Sequence, residues 1–408
     1  MIARTSLLLF TLLPLAACGG DDDDGDDQTT DDGTDDGVEE GPVYVMMTQV
    51  YTTDDRIIYF STSDTLDIDG VSFADATESP GVANFTTLGG KLYISSGEQP
   101  KITQYDVLPD RSLEPTGEIS FGAYPLGDNA NFYYHYIVDE DLAYLPYETN
   151  KRVAWNPSEM TIVSDETTSE IPLTEGGLTL NSGGNRTAVK YPSGAVAQPF
   201  FYTNKTWEEF GPDSPIATYD TTSHDEATIE NVACPGLTLT TRTEDGTTYF
   251  STDAYSPMKW LHGAAPEPCV AVMSPSGELT TDTLTEMTGG RYTMNFRYLR
   301  EGLAVGHVLD HESLGLDFEE EYDPAVEEQS YDAYELWIFD LEAGTGRPVE
   351  GLDLPDLPTQ HAVIDDRMFL FTVYDEYGMT RVYELSADGV ATPKFDVAGD
   401  VFKWERLR

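Results

Sequence analysis

One motif recurs along the chain at near-even intervals and limits the folds open to it. Short strand-like segments, most of them closing on an aromatic and an acid or amide, appear as IIYFSTSD (57–64), ITQYDV (102–107), RVAWNP (152–157), PIATYDT (215–221), CVAVMSP (269–275), ELWIFDLE (335–342) and RVYELSADG (381–389). Each is preceded by a partner of similar character: VYVMMTQV (43–50), KLYISS (91–96), LAYLPY (142–147), VAQPFFYT (196–203), TTYFST (247–252), LAVGHVLD (303–310) and RMFLFTV (367–373). The partners start about 45 to 65 residues apart, the length of a four-stranded propeller blade with its loops. With 35 glycines, 24 prolines and 24 tyrosines, the composition suits strands and turns, and an all-α fold is excluded.

The other two strands of each unit fall around this pair. In residues 83–121, VANFTT begins an inner strand A, KLYISS is B, ITQYDV is C and LEPTGEISF is the outer strand D, with Gly89-Gly90 as the turn after A. Further inner strands are NFYYHYIV (131–138), NRTAVKY (185–191), LTLTTRT (237–243), RYTMNFRYL (291–299) and TQHAVID (359–365). The first unit, opening at Val43, has no strand A before it, and the last segment, DVFKWERL (400–407), has no unit of its own. Placing the second in the gap left by the first closes the ring and removes the exposed edges of an open sheet. The expected fold is therefore all-β, a seven-bladed β-propeller over 43–408 closed by N- and C-terminal strands. The competing arrangement is a pair of stacked β-sandwiches, which the even spacing and the missing first strand disfavour.

The N-terminus reads as an address. Arg4 precedes an apolar run from Leu7 to Leu13, too short to span a bilayer, and Leu15-Ala16-Ala17-Cys18 follows. Residues 1–17 resemble a bacterial lipoprotein signal peptide, which implies acylation of Cys18. Gly19 in place of Asp implies the cell outer membrane, with contact to the lipid bilayer through this N-terminal anchor only. From there to residue 42 the chain holds twelve acids and almost nothing apolar, so 18–42 is expected to be a lipidated cysteine and a disordered, solvated tether. The whole chain has 74 acids against 22 bases; without the twelve and Arg4, 62 acids face 21 bases, a charge of −41. Such a balance excludes nucleic acid as a partner.

In a propeller the D-to-A and B-to-C connections lie on one face, called the top. Cys234 ends the outer strand of blade four and Cys269 opens strand C of blade five, both at the top, and with Cys18 assigned to lipid they form the one remaining even pair. A Cys234–Cys269 disulfide is expected in an oxidising compartment. The B-to-C loops are short in four blades, but blade four carries NKTWEEFGPDS (204–214), blade five DAYSPMKWLHGAAPEP (253–268) and blade six DHESLGLDFEEEYDPAVEEQSYDAY (310–334). Loops on a rigid scaffold hold most binding chemistry. Tyr255, Lys259, Trp260 and His262 form one group there, Lys205 and Trp207 another, and Arg186 and Arg291 open inner strands at the same face. Bases and aromatics together suit an anionic or aromatic ligand. The plain alternative is that each base pairs with a nearby acid and the tryptophans pack the loops down.

The cysteine-terminated leader, the acidic tether, the opening YVMMTQVYTTDDRIIYFSTSDTLD and the LYIS…YDV blade pattern resemble the siderophore-associated β-propeller lipoproteins of the MxcI-like, myxochelin-cluster type. That resemblance implies a surface lipoprotein that captures a ferric siderophore, a catecholate by preference, and passes it to a TonB-dependent outer-membrane receptor. It transfers no binding residue. Among catalytic patterns, the sequence has no GxSxG elbow, HExxH, Walker loop or CxxC, and its six histidines are dispersed. The expectation is a chain that is not an enzyme and needs no cofactor or metal. A divalent cation at His307, His311 and the acidic blade-six loop is the less favoured reading. A protein-interaction scaffold on the envelope is the alternative function.

Overall fold

The two ends of the ring meet in one sheet. In the computed structural model, which describes residues 41–408 apart from 53–55, 82, 97–98, 125–134, 148, 165–166, 183–188, 191–194, 324 and 355–356, Tyr44–Tyr51 pairs antiparallel with both Arg56–Ser63 and Asp400–Arg406. Val43 N–H donates to Arg408 O at 3.1 Å and Leu407 N–H to Val43 O at 2.7 Å. Thr77–Pro80 completes this first blade, in the order outer, third, second, inner. The closing strand is thus supplied from the far end of the chain, as the orphan segment predicts.

Six more sheets follow. Blades two, five, six and seven are regular four-stranded meanders: Ala83–Ser120, Leu239–Asp282, Tyr292–Pro348 and Gln360–Ala398. Blades three and four are enlarged. In blade three, Thr161–Ile162 and Thr167–Thr168 both pair with Lys151–Asn156. Blade four departs from the expected inner strand at 185–191: Leu178–Ser182 pairs with residues 200–203 of Ala195–Thr203, and Val189–Lys190 with residues 196–197. The strand therefore begins earlier and is split, with Gly183-Gly184 in the sequence between its halves. In blade three the inner strand is described only as Tyr136–Ile137.

Both faces of each sheet are buried, because each blade packs against two others, and alternation along a strand sends successive side chains to opposite neighbours. Tyr44 and Met46 join Phe369, Phe371 and Trp404 in the core against blade seven, whereas Val43, Val45 and Met47 join Phe85, Leu92 and Ile94 in the core against blade two. Comparable clusters lie around the ring, with Trp155 between blades two and three and Phe296 and Phe339 between five and six. This is why the repeats read as near-continuous apolar runs. One glycine is needed at the closure. Gly399 has φ +91°, and a Cβ there would stand 2.5 Å from Gln49 O, so no other residue fits against blade one.

The expected disulfide is formed. Cys234, just after Glu226–Val232, bonds Cys269, just before Val270–Met273, with their Cα atoms 5.5 Å apart. It ties blade four to blade five directly under the long loops.

Candidate functional site

The three long loops rise on the top face and fold onto one another. In blade five, Ser256 caps the helix Pro257–Leu261, accepting from Met258 N–H, and Pro257 occupies the first turn where its missing N–H costs nothing. Met258 is fully buried with Leu309 and Ala333, and Leu314, Leu316, Phe318, Tyr322 and Val326 of the blade-six loop pack around them. A small apolar core, separate from the blade-to-blade cores, therefore holds the two loops together.

The expected binding residues are distributed through this structure as follows. Tyr255 is enclosed, its ring edge-on to Phe210 at 5.3 Å and its hydroxyl donating to Pro266 O. Lys259 donates to Glu208 O and lies 5.8 Å from the Tyr322 ring, so it fastens the blade-five loop to the blade-four loop. Trp260 packs on Tyr292 at 4.7 Å, and His262 donates through Nδ1 to Glu320 O at 2.9 Å while meeting Phe318 and Tyr322 edge-on. Arg291 lies 3.2 Å from Asp310 and 3.5 Å from Glu335. These five are brought into one region, where Tyr255, Lys259 and Arg291 already have polar partners within the protein and His262 Nε2 is buried without one among the described residues. Lys205 and Trp207 are exposed, and the Trp207 ring rests against Phe201 at 5.3 Å. Arg186 and Cys18 lie outside the described residues.

A second set lies on the strands nearest the axis, and of it the sequence reading singles out only His307. A bulge in the inner strand of blade six separates Met294 from Arg297 in the ladder; Asn295 takes φ +53° there and its N–H donates to Thr252 O at 2.6 Å. Arg297 Nε donates to Asn295 Oδ1 at 2.8 Å, and a second nitrogen lies 3.5 Å from Gln360 Oε1. His307 donates through Nε2 to Pro358 O at 2.8 Å. Burial pushes His307 down to about 4 and, joined by the Arg297 charge, His361 down to about 3. His135 of blade three is buried with Nδ1 3.0 Å from Ser95 Oγ, and burial pushes it down to about 3 as well. All three imidazoles are neutral at neutral pH. The signal available in the sequence was the polar pair Asn295 and Arg297 in the middle of the inner strand YTMNFRYLR.

The aromatics that stay open to solvent lie on the same face, spread over four blades. Tyr51, Trp207, Tyr331 and Tyr377 are the exposed large aromatics among the described residues, and every one lies on a B-to-C loop or at the end of a strand entering one. Among the described residues no group of three or more His, Cys, Asp or Glu side chains is placed to hold a metal ion. His307 and His311 part company, the first near the axis against Pro358 and the second in the blade-six loop against Phe318. A cleft of about 170 Å³ lies on the bottom side between blades four and five, bordered by Thr218, Glu230, Met273 and Pro275.

No protein-family model and no curated protein matches the chain. Solved structures do. Similar folds include a hydrazine synthase of Kuenenia stuttgartiensis (12% identity, 74% of this chain and 76% of that one, TM-score 0.42). A quinoprotein alcohol dehydrogenase-like protein of Bacteroides thetaiotaomicron matches at 10% identity over 90% and 92% of the two chains, TM-score 0.48. AztD of Citrobacter koseri matches at 11% identity over 90% and 98%, TM-score 0.43. The likeness concerns the fold alone. It nonetheless corrects one expectation: a chain that is not an enzyme was inferred from missing catalytic motifs, yet the neighbours of this fold include a hydrazine synthase and an alcohol dehydrogenase-like protein. Missing motifs therefore exclude no activity, and that expectation is withdrawn.

Proposed function

We propose that the chain is an outer-membrane lipoprotein, anchored through Cys18 and spaced from the bilayer by its acidic tether, whose propeller captures a small ligand on the top face. The ligand class implied by the resemblance to siderophore-associated propellers is a ferric siderophore, passed on to a TonB-dependent receptor. The observation that carries this reading is the exposure of Trp207 and Tyr331 on the long top-face loops of a rigid scaffold, with the exposed Lys205 beside Trp207. Flat catechol rings can stack on such side chains. Charge is the more demanding requirement, because a ferric tris-catecholate is an anion and the domain is strongly acidic. It can be held only where a base stands close. Lys259 and Arg291 are engaged with Glu208, Asp310 and Glu335, and Arg297 with Asn295 and Gln360, so the base favoured here is Lys205, exposed two residues from Trp207.

Titration of the purified protein with a ferric catecholate, followed by tryptophan fluorescence, tests the proposal. Saturable quenching at micromolar ligand is expected, and Lys205→Gln should weaken it about tenfold, as loss of one charge-assisted contact implies. Absence of quenching removes the siderophore reading. Retrieval of an envelope protein without any small ligand would instead favour the interaction scaffold.

A further inference from the structure

Where the chain termini meet blade seven, the top face carries a constellation that the long loops do not share. Tyr51 ends the second strand of blade one, and Tyr377 lies in the turn between the second and third strands of blade seven. They are 48% and 60% exposed, with ring centroids 5.9 Å apart and planes inclined by 58°. The turn is costly to form. Asp375, Glu376 and Tyr377 have φ of +55°, +51° and +68°, a left-handed run that L-residues adopt at about 1–2 kcal/mol each. It is held down by Gly399 N–H, which donates to Gly378 O at 2.8 Å.

The next residue is Asp400, only 7% exposed, and no donor among the described residues reaches its carboxylate. Gln49 stands opposite it in the ladder, two residues before Tyr51, and the Gln49 amide nitrogen is buried without a partner among the described residues. Burial pushes the Asp400 carboxyl up to about 6. Asp400 lies on the Tyr51 face of the ladder, since it pairs with Gln49, two residues before Tyr51, and the Tyr51 hydroxyl is raised by burial first and then by the Asp400 charge. A carboxylate this enclosed works against folding unless it meets a cation.

We propose that Tyr51, Tyr377 and Asp400 form a binding site for an organic ammonium group. Inclined rings present their negative faces to a cation between them, and the carboxylate supplies the opposite charge. Asp375 and Glu376 add to a local field of the same sign, and the −41 domain concentrates cations at its surface. An anion would meet repulsion here, and an uncharged aromatic would gain nothing from Asp400. The site is independent of the siderophore reading, whose ligand carries the opposite charge.

Calorimetric titration of the purified protein with choline, against choline's uncharged carbon isostere, provides the test. Saturable choline binding is expected, about tenfold or more weaker for the isostere, and about tenfold weaker in Tyr377→Leu and in Asp400→Asn, the loss of one cation–π or charge contact. Asp400→Asn removes a buried charge and keeps the fold, so its result reads binding alone. Absence of choline binding, equal affinity for the isostere, or unchanged choline affinity in both variants would overturn the site.

Discussion

Two regions of one face treat their polar groups in opposite ways. In the crown of blades four to six, Lys259 donates to Glu208, His262 to Glu320, and Arg291 faces Asp310 and Glu335. The groups chosen for their chemistry serve to hold three loops together. At the seam of blades seven and one, the loops are short, yet two rings stay open and a carboxylate is buried without a donor. The long loops spend most of these groups on one another, although His262 Nε2 and His311 Nδ1 stay buried without a partner among the described residues. The short turns of the seam leave their two rings open.

Breaking the crown should have the largest effect. The Cys234–Cys269 bond closes a 35-residue span between the blades that carry two of the three loops, and Cys234→Ala with Cys269→Ala should cost about 3–4 kcal/mol in the chain-entropy view. Chemical denaturation followed by tryptophan fluorescence measures this. A loss below about 1 kcal/mol would mean that the apolar core around Met258 suffices to hold the loops. The seam should be unaffected, since no contact of Tyr51 or Tyr377 depends on the bond.

The same contrast explains what the sequence could disclose. Blade count, ring closure and disulfide were legible because they follow from period-two patterning, a missing first strand and an even cysteine pair. Tyr44 and Met46 facing one neighbour, Val45 and Met47 the other, is that pattern made solid. Blade four was misplaced because Leu178–Ser182 is short and Gly183-Gly184 interrupts the alternation that marks a strand. Five of the crown residues fall in one region, but sequence spacing cannot tell whether Lys259 meets a ligand or the Glu208 carbonyl. Arg297 and Asp400 went unnoticed because each is one of several polar residues in its strand, and only register shows that Asp400 faces Gln49.

Acid–base behaviour should separate the seam from the axis at intermediate cost. His135, His307 and His361 have pKa values lowered well below the unfolded value of about 6.5. The unfolded chain binds more protons in that window, so these groups make stability fall as pH drops from about 6.5 toward about 4. Asp400 acts in the opposite sense. Its folded value of about 6 exceeds the unfolded value of about 3.9, so its contribution is present at low pH and is lost as pH rises through about 6. Asp400→Asn is therefore expected to stabilise the protein by about 1–3 kcal/mol at pH 7 and by little at pH 4. Melting temperatures across that range check it; a destabilised variant at pH 7 would mean the carboxylate has a partner and the seam resembles the crown after all.

The smallest effect sharpens the comparison most. Tyr377 has a left-handed backbone, is 60% exposed and touches Tyr51. Were the ring a structural contact like Trp260 on Tyr292, its removal would cost stability. Tyr377→Gly instead exchanges a strained conformation for one that glycine adopts freely, against the larger chain entropy of glycine when unfolded, so stability should change by less than about 1 kcal/mol and in the favourable direction. Differential scanning calorimetry resolves a shift of that size when wild type and variant are run in parallel. A loss of more than about 1 kcal/mol would assign the ring to the packing of the seam. An unchanged or raised melting temperature, together with lost choline binding, would show a residue whose strained turn is maintained for the ligand and not for the fold.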